Sequence, residues 1–178
     1  MKKIFYCSLL VLSVLSTGLF AQNRFSAGII STRFGNTADD SKLTDIKNPI
    51  GYGVVGSYAL SEEISLAFTG EYYKDDMENN LGNERDLRGH ISVFLAPFDS
   101  KELRPYVSAG IVYTNRKIEY LKDNSEKNKN IVDARFGIGM DYNLIQNLFV
   151  NVDFGVYNDG LNVVGWSSSL GLRYGINL

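Results

Sequence analysis

The sequence has one cysteine, one histidine and, past its first twenty residues, no long apolar run. Each shortage removes a class of function. Cys7 falls in a segment expected to be removed, so the mature chain is predicted to carry no disulfide, thiol nucleophile or thiolate metal ligand. With His90 as the single histidine, a zinc site would rest almost wholly on carboxylates, so no metal and no cofactor is predicted. The formal net charge of −2 offers little to a nucleic-acid backbone, and no nucleic-acid partner is expected. No glycine-rich phosphate loop, nucleophile elbow or metal-binding pair occurs. Apolar runs after residue 21, such as Ile111–Tyr113, fall far short of the ~20 residues a spanning helix needs.

What is present is a chain of 178 residues, 44% hydrophobic and 21% charged. That is one domain's worth of sequence and too apolar to stay disordered. Its first stretch reads as a targeting signal. Lys2 and Lys3 precede a mostly apolar run from Ile4 to Leu15, small residues follow, and Ala21 offers a cleavage position before Gln22. Residues 1–21 are therefore expected to be a cleaved signal peptide and 22–178 the mature domain, in a chain that crosses an inner membrane on export.

The mature chain repeats a period of two. From Val132 to Asn143, Val132, Ala134, Phe136, Ile138, Met140 and Tyr142 alternate with Asp133, Arg135, Gly137, Gly139, Asp141 and Asn143. A helix cannot place charges and large apolar groups on strictly alternating positions, whereas a strand does so by construction. The last segment repeats the pattern from Trp166 to Leu178, and six more segments follow it with apolar faces centred on Ala27, Val54, Phe68, Ile91, Ala109 and Val152. Eight strands of about ten residues suit a bilayer crossed by tilted strands. The connections Ser61–Glu63 and Ile145–Asn147 are tight and Pro97–Arg104 intermediate, while Gly35–Pro49, Lys74–Arg85 and Asn115–Asn130 are long and polar. Asn158–Asn162 is short. Short turns at one end and long loops at the other predict an all-β, eight-stranded, antiparallel up-and-down transmembrane β-barrel with its long loops extracellular. The stretch Lys122–Asn130 reads as a mobile, solvated loop tip.

Two features choose which face meets lipid. The polar face is rich in glycine, including Gly51, Gly53, Gly137, Gly139, Gly155, Gly171 and Gly175, as the narrow lumen of a small barrel requires. It also carries both signs of charge: Glu71, Asp133, Asp141 and Asp153 against Arg88, Arg135 and Arg173, with His90 beside them. Confined charges must pair, so these eight residues are expected to form a lumen network. On the apolar face, Phe25, Tyr58, Tyr142 and Tyr174 fall near the inner rim, and Tyr52, Tyr72, Tyr113 and Trp166 near the outer rim. Two aromatic girdles around an aliphatic band match the headgroup levels of a bilayer.

In the tail Ser167–Leu178 (SSSLGLRYGINL), the segment Arg104–Tyr113 (RPYVSAGIVY) and Phe136–Leu144 followed by Asn147-Leu148, the chain resembles the small OmpA/OmpX-like outer-membrane β-barrel family. The resemblance covers essentially the whole mature chain; the family usually ends in Phe where Leu178 stands here. It implies an outer-membrane location, contact with outer-membrane lipid and lipopolysaccharide, and passage through the barrel-assembly machinery. A monomer is expected, and the peptidoglycan-binding domain of larger members is not expected after Leu178.

The function predicted is non-enzymatic, structural or surface-interacting, with a lumen filled by side chains. Two alternatives stay open. His90 and Ser92 are similar to the His-x-Ser pair of lipid A deacylase barrels, in which serine attacks and histidine is the base. The lumen charges are also compatible with a narrow conduit for small solutes. The acidic groups Asp39-Asp40 and Asp75-Asp76 with Glu78 lack the spacing of a calcium loop and read as solvated charge. Arg33, Lys42, Lys47, Lys74, Arg85 and Lys117 are candidates for contact with lipid phosphates near the outer rim.

Overall fold

The computed structural model describes residues 24–36, 49–76, 82–97, 102–122, 124–145, 147–160 and 162–177. The expected leader, most of the loop at 35–49, and Glu78 lie outside the described residues. Eight strands follow one another: β1 (Arg24–Asn36), β2 (Ile50–Ala59), β3 (Ile64–Asp76), β4 (Gly82–Leu95), β5 (Leu103–Tyr120), β6 (Glu126–Ile145), β7 (Leu148–Asp159) and β8 (Asn162–Asn177). Each pairs antiparallel with the next. β8 returns to β1, with Arg24 opposite Asn177 and Asn36 opposite Gly165, which closes the barrel. The predicted architecture is the one observed.

Alternation in the sequence becomes alternation across the barrel wall. Ile29, Val54 and Ile111 keep 65%, 64% and 62% of their surface exposed, while Glu71, Asp86 and Arg88 are each only 3% exposed. Such a continuous apolar belt far exceeds the patches a water-soluble monomer tolerates, and a charged interior would be an odd choice for a soluble core. Both make sense when the outer wall meets hydrocarbon and the strands satisfy every backbone group among themselves.

The lumen holds more than charges. Phe34, Tyr73, Val112 and Tyr157 are buried inside it as an apolar cluster, with the Phe34 and Tyr157 rings edge to face at 5.2 Å. Eight strands leave room for these groups only where the facing wall is bare. Gly51 lies under the Tyr73 ring and Gly155 under the Arg135 guanidinium, and a Cβ at either position would overlap those atoms.

Two of the segments expected to be long loops are largely strand. β3 continues to Asp76 opposite Asn83, and β5 and β6 continue to Glu119 opposite Glu126. Strand lengths accordingly run from 10 residues in β2 to 20 in β6. The reason is physical. Outside the bilayer both faces of a strand meet polar surroundings, so the apolar alternation ends while hydrogen-bonded pairing does not. β6 meets β7 only from Ala134, so Glu126–Asp133 stands beyond the shorter β7. The tight turn after β6 places Asn147 at φ 68, a left-handed conformation asparagine tolerates.

Candidate functional site

Inside the barrel the ionisable side chains fall into three groups along the axis. At the end where β4 and β5 extend, Arg116 lies 2.8 Å from Glu84 and 3.0 Å from Asp86, and Arg88 lies 2.9 Å from Asp86. The Arg88 guanidinium also sits over two rings, 3.8 Å from the Phe34 centroid and 4.4 Å from that of Tyr73. Two arginines thus share two carboxylates, and aromatic faces fix one of the arginines in place.

The middle group centres on Glu71. It accepts hydrogen bonds from Thr32 at 2.5 Å and Tyr73 at 2.9 Å, and its Oε2 stands 3.0 Å from His90 Nε2. That last contact is at ion-pair distance but lacks hydrogen-bond alignment. The innermost group is held by Arg135 on Asp153 and Arg173 on Asp141. Asn151 donates to Asp141 and to the Tyr106 hydroxyl, each at 2.8 Å, and Tyr106 donates to Asp153 at 3.2 Å.

Seven of the eight residues named as a lumen network therefore take part in charged contacts inside the barrel. Asp133 does not: its Oδ1 is buried without a hydrogen-bond partner among the described residues. The eight aromatic residues assigned to the girdles all lie on the outer face. Tyr52 pairs directly with Tyr72 near one rim, and Phe25 with Tyr58 near the other. His90 and Ser92 both point into the lumen, 8% and 5% exposed. A carboxylate does stand beside His90, but the three groups face away from the lipid side of the wall.

Glu84, Asp86, Arg116, Thr32 and Tyr106 were not among the residues singled out from the sequence. Glu84 and Arg116 sit in segments read as loop, and Asp86 borders one. The alternation Glu84, Asp86, Arg88, His90 was nonetheless visible and could have extended β4 to its observed start. Tyr106 and Tyr157 share the polar face, where an aromatic ring carries no periodic signal of its own.

The wall has its own polarity boundary. On β4 the outward apolar residues run from Leu95 to Leu87 and stop at Arg85; on β3 they stop at Tyr72, followed by Lys74. Residues beyond these, including Glu84 and Arg116, stand outside the membrane-spanning segments.

Comparison with known proteins returns the same architecture. The family model for the outer membrane protein beta-barrel domain matches residues 7–175. Outer membrane porin F of Pseudomonas aeruginosa is 27% identical over 167 residues, which cover 86% of this chain and 47% of that protein. The chain thus spans about half the length of that curated relative. Among solved structures, the N-terminal β-barrel domain of Pseudomonas aeruginosa OprF is 22% identical with a TM-score of 0.55, covering 87% of this chain and 100% of that one. The outer membrane protein OprG of Pseudomonas aeruginosa is 16% identical with a TM-score of 0.65, covering 89% and 97%. Ail, the attachment invasion locus protein of Yersinia pestis, is 15% identical with a TM-score of 0.60, covering 88% and 100%. At these identities the solved structures share the fold.

Proposed function

This chain belongs to the outer membrane protein beta-barrel domain family, and from that premise we propose that it is a non-enzymatic barrel with a structural or surface-interaction role, its lumen closed by its own side chains. The observation that carries this reading is the buried network itself. Arg135, Asp153, Arg173 and Asp141 pair across the interior, and the Phe34–Tyr73–Tyr157 cluster occupies the space beyond them. Breaking a buried pair from one side leaves an uncompensated charge, so the network resists opening. The extended ends of β4, β5 and β6 supply the surface that meets the exterior, with the leader cleaved and the N-terminus on the periplasmic side.

The reading is tested by single-channel recording in planar bilayers. Wild-type protein is expected to give no steady conductance, and the double variant Arg135→Ala/Asp153→Ala a measurable one. A steady, ohmic wild-type channel would overturn it in favour of the small-solute conduit. A lipid hydrolase is disfavoured because Glu71, His90 and Ser92 are separated from lipid by the barrel wall. Lipid A acylation in a Ser92→Ala strain is expected to match wild type, and a lost deacylation product would reverse that conclusion.

A further inference from the structure

The middle of the lumen holds a chamber of about 30 Å³, between Glu71 and His90 on one side and Asp153 and Ser169 on the other. All eight strands contribute to its lining, so it sits on the barrel axis. One water-sized occupant needs roughly 10–15 Å³, and the chamber therefore has room for about two. Thr69 stands directly opposite His90 in the β3–β4 ladder, Ser92 follows His90 two residues along on the same face, and Ser169 is opposite Asp153. The hydroxyls of Thr69, Ser92 and Ser169 all border the chamber and make no side-chain hydrogen bond among the described residues.

A second observation concerns charge. Glu71 is 3% exposed, and a buried carboxylate needs a counter-charge. Arg88, its cross-strand neighbour, is committed to Asp86. Besides Glu71, the titratable and charged groups that face His90 across the chamber are Tyr106, Arg135, Asp153, Tyr157 and Arg173. Arg135 is matched by Asp153 and Arg173 by Asp141, so neither arginine is left over for Glu71. Only His90 remains, and it carries charge only when protonated. It is 8% exposed, and its Nε2 lacks a hydrogen-bond partner among the described residues although it stands 3.0 Å from Glu71 Oε2. A neutral imidazole presents there either a misaligned N–H or a lone pair, and neither brings positive charge. With His90 neutral, the centre of the lumen is one positive charge short, beside a space lined with unbonded oxygens.

We propose that this chamber binds one alkali cation, sodium or potassium, held beside Glu71 by the Thr69, Ser92 and Ser169 hydroxyls and exchanging with the proton on His90. Hard cations take oxygen ligands, and a single carboxylate with neutral hydroxyls suits a monovalent ion. Among the described residues no three His, Cys, Asp or Glu side chains gather as a divalent ion would ask. The inference rests on the closed-lumen reading above and names what the closed lumen holds. One positive charge, a proton or a metal ion, then stands beside Glu71 at any pH at which the barrel is folded.

The test uses the mature chain folded in phosphatidylcholine vesicles and unfolded with urea. Sodium, potassium and N-methylglucamine chlorides are compared at equal ionic strength, at pH 8 and pH 5. N-methylglucamine is too large for the chamber and controls for screening. At pH 8 the unfolding equilibrium constant should fall about tenfold when sodium or potassium reaches ten times its Kd; at pH 5 the three salts should act alike. Glu71→Gln should abolish the alkali-ion effect, and Thr69→Val/Ser92→Ala should weaken it. In His90→Gln, which cannot take up the proton, the effect should persist at pH 5. Sodium-23 line broadening reads occupancy without reference to stability, and should be present for wild type at pH 8 and absent for Glu71→Gln. Folding of every variant is checked by the heat-dependent gel shift. Equal stability in all three salts at pH 8 would mean that the chamber holds water only and would overturn the proposal. An alkali-ion effect that survives Glu71→Gln would do the same, since the ion would then sit elsewhere. A barrel that conducts steadily yet shows the pH-dependent sodium effect overturns the closed-lumen reading alone. A silent barrel without that effect overturns this inference alone.

Discussion

Glu71 stands opposite Arg88 in the β3–β4 ladder, yet its carboxylate pairs diagonally with His90, 3.0 Å away. Arg88 is drawn elsewhere, to Asp86 at 2.9 Å and onto the rings of Phe34 and Tyr73. The register alone would have paired the two residues; the aromatic rings inside the lumen decide otherwise. Glu71 is left as the acceptor for Thr32 and Tyr73, with His90 beside it.

Removing that acceptor should be costly. Glu71→Ala leaves the Thr32 and Tyr73 hydroxyls without their buried acceptor and removes the carboxylate 3.0 Å from His90. A loss of about 3–6 kcal/mol is expected, from two buried hydroxyls each losing a hydrogen bond to a charged acceptor. Glu71→Gln, which keeps one acceptor oxygen, should cost clearly less. Urea-driven unfolding from lipid vesicles, followed by tryptophan fluorescence, measures both. Equal stability of Glu71→Ala and wild type would mean that the middle of the lumen is hydrated rather than packed.

Lumen glycines and lipid-facing glycines should respond oppositely. Gly51 lies under the Tyr73 ring, so Gly51→Val overpacks the interior and is expected to cost about 1–3 kcal/mol. Gly89 faces open space, so Gly89→Ala has room for its methyl group and should gain about 0.5–1 kcal/mol in a strand. The same vesicle titration, run on both variants, reads the contrast as shifts of opposite sign. Matching shifts would show that glycine is placed for the strands themselves and not for the lumen.

How much of this was legible in the sequence depends on what each residue alternates with. From Val132 to Asn143 one face is apolar and the other polar, so both the strand and its facing could be read directly. Past Leu87 and Tyr113 the outward residues become Arg85, Asn115 and Lys117, and the same strands continue with charges on both faces. Periodicity reports a difference between faces, and outside lipid that difference vanishes while the ladder persists. The lumen was half legible for a related reason. Charges on the inward face announced themselves, but Tyr73, Tyr106 and Tyr157 share that face with no pattern to separate them from girdle aromatics. Pairing was not legible at all, because Arg88 chose its partners by packing.

The pH response of the extension follows from Glu84, which lies beyond the apolar band. Burial raises its pKa most, Arg116 pulls it back, and the Asp86 carboxylate pushes it up again, to about 7 against an ordinary 4.5. The folded extension therefore holds a proton that the opened chain would release between pH 4.5 and 7. An acid whose folded pKa is raised contributes stability at low pH and loses it as pH rises through the folded value. Exchange protection of the amides around Gly82–Asp86 and Asn115–Tyr120, corrected for intrinsic rates, should be severalfold higher at pH 5.5 than at pH 8. In Glu84→Gln, which is neutral throughout, that difference should largely disappear. Protection that rises with pH in wild type would mean that Glu84 stays ionised and paired with Arg116.

The extension is a packed structure, and one apolar residue makes this testable apart from the barrel. Ile118 lies outside the apolar band, faces inward and is only 3% exposed. Its neighbours in the ladders are Glu84 and Lys127, so its burial comes from the sheet it belongs to and not from lipid. A solvated loop tip would leave such a residue exposed and indifferent to truncation. In a packed extension Ile118→Ala forfeits buried surface and leaves a cavity, at a local cost of about 2–5 kcal/mol. Local opening is governed by the stability of the unit that opens, and here that unit is the outer end of β4, β5 and β6. The expected outcome is a loss of exchange protection from Arg116 to Tyr120 and from Glu126 to Asn130, with protection in the membrane-spanning part and the heat-dependent gel shift unchanged. If Ile118→Ala leaves the exchange of these amides as it was, the extension is held by backbone pairing alone. If the gel shift is lost as well, the extension and the barrel fold as one unit.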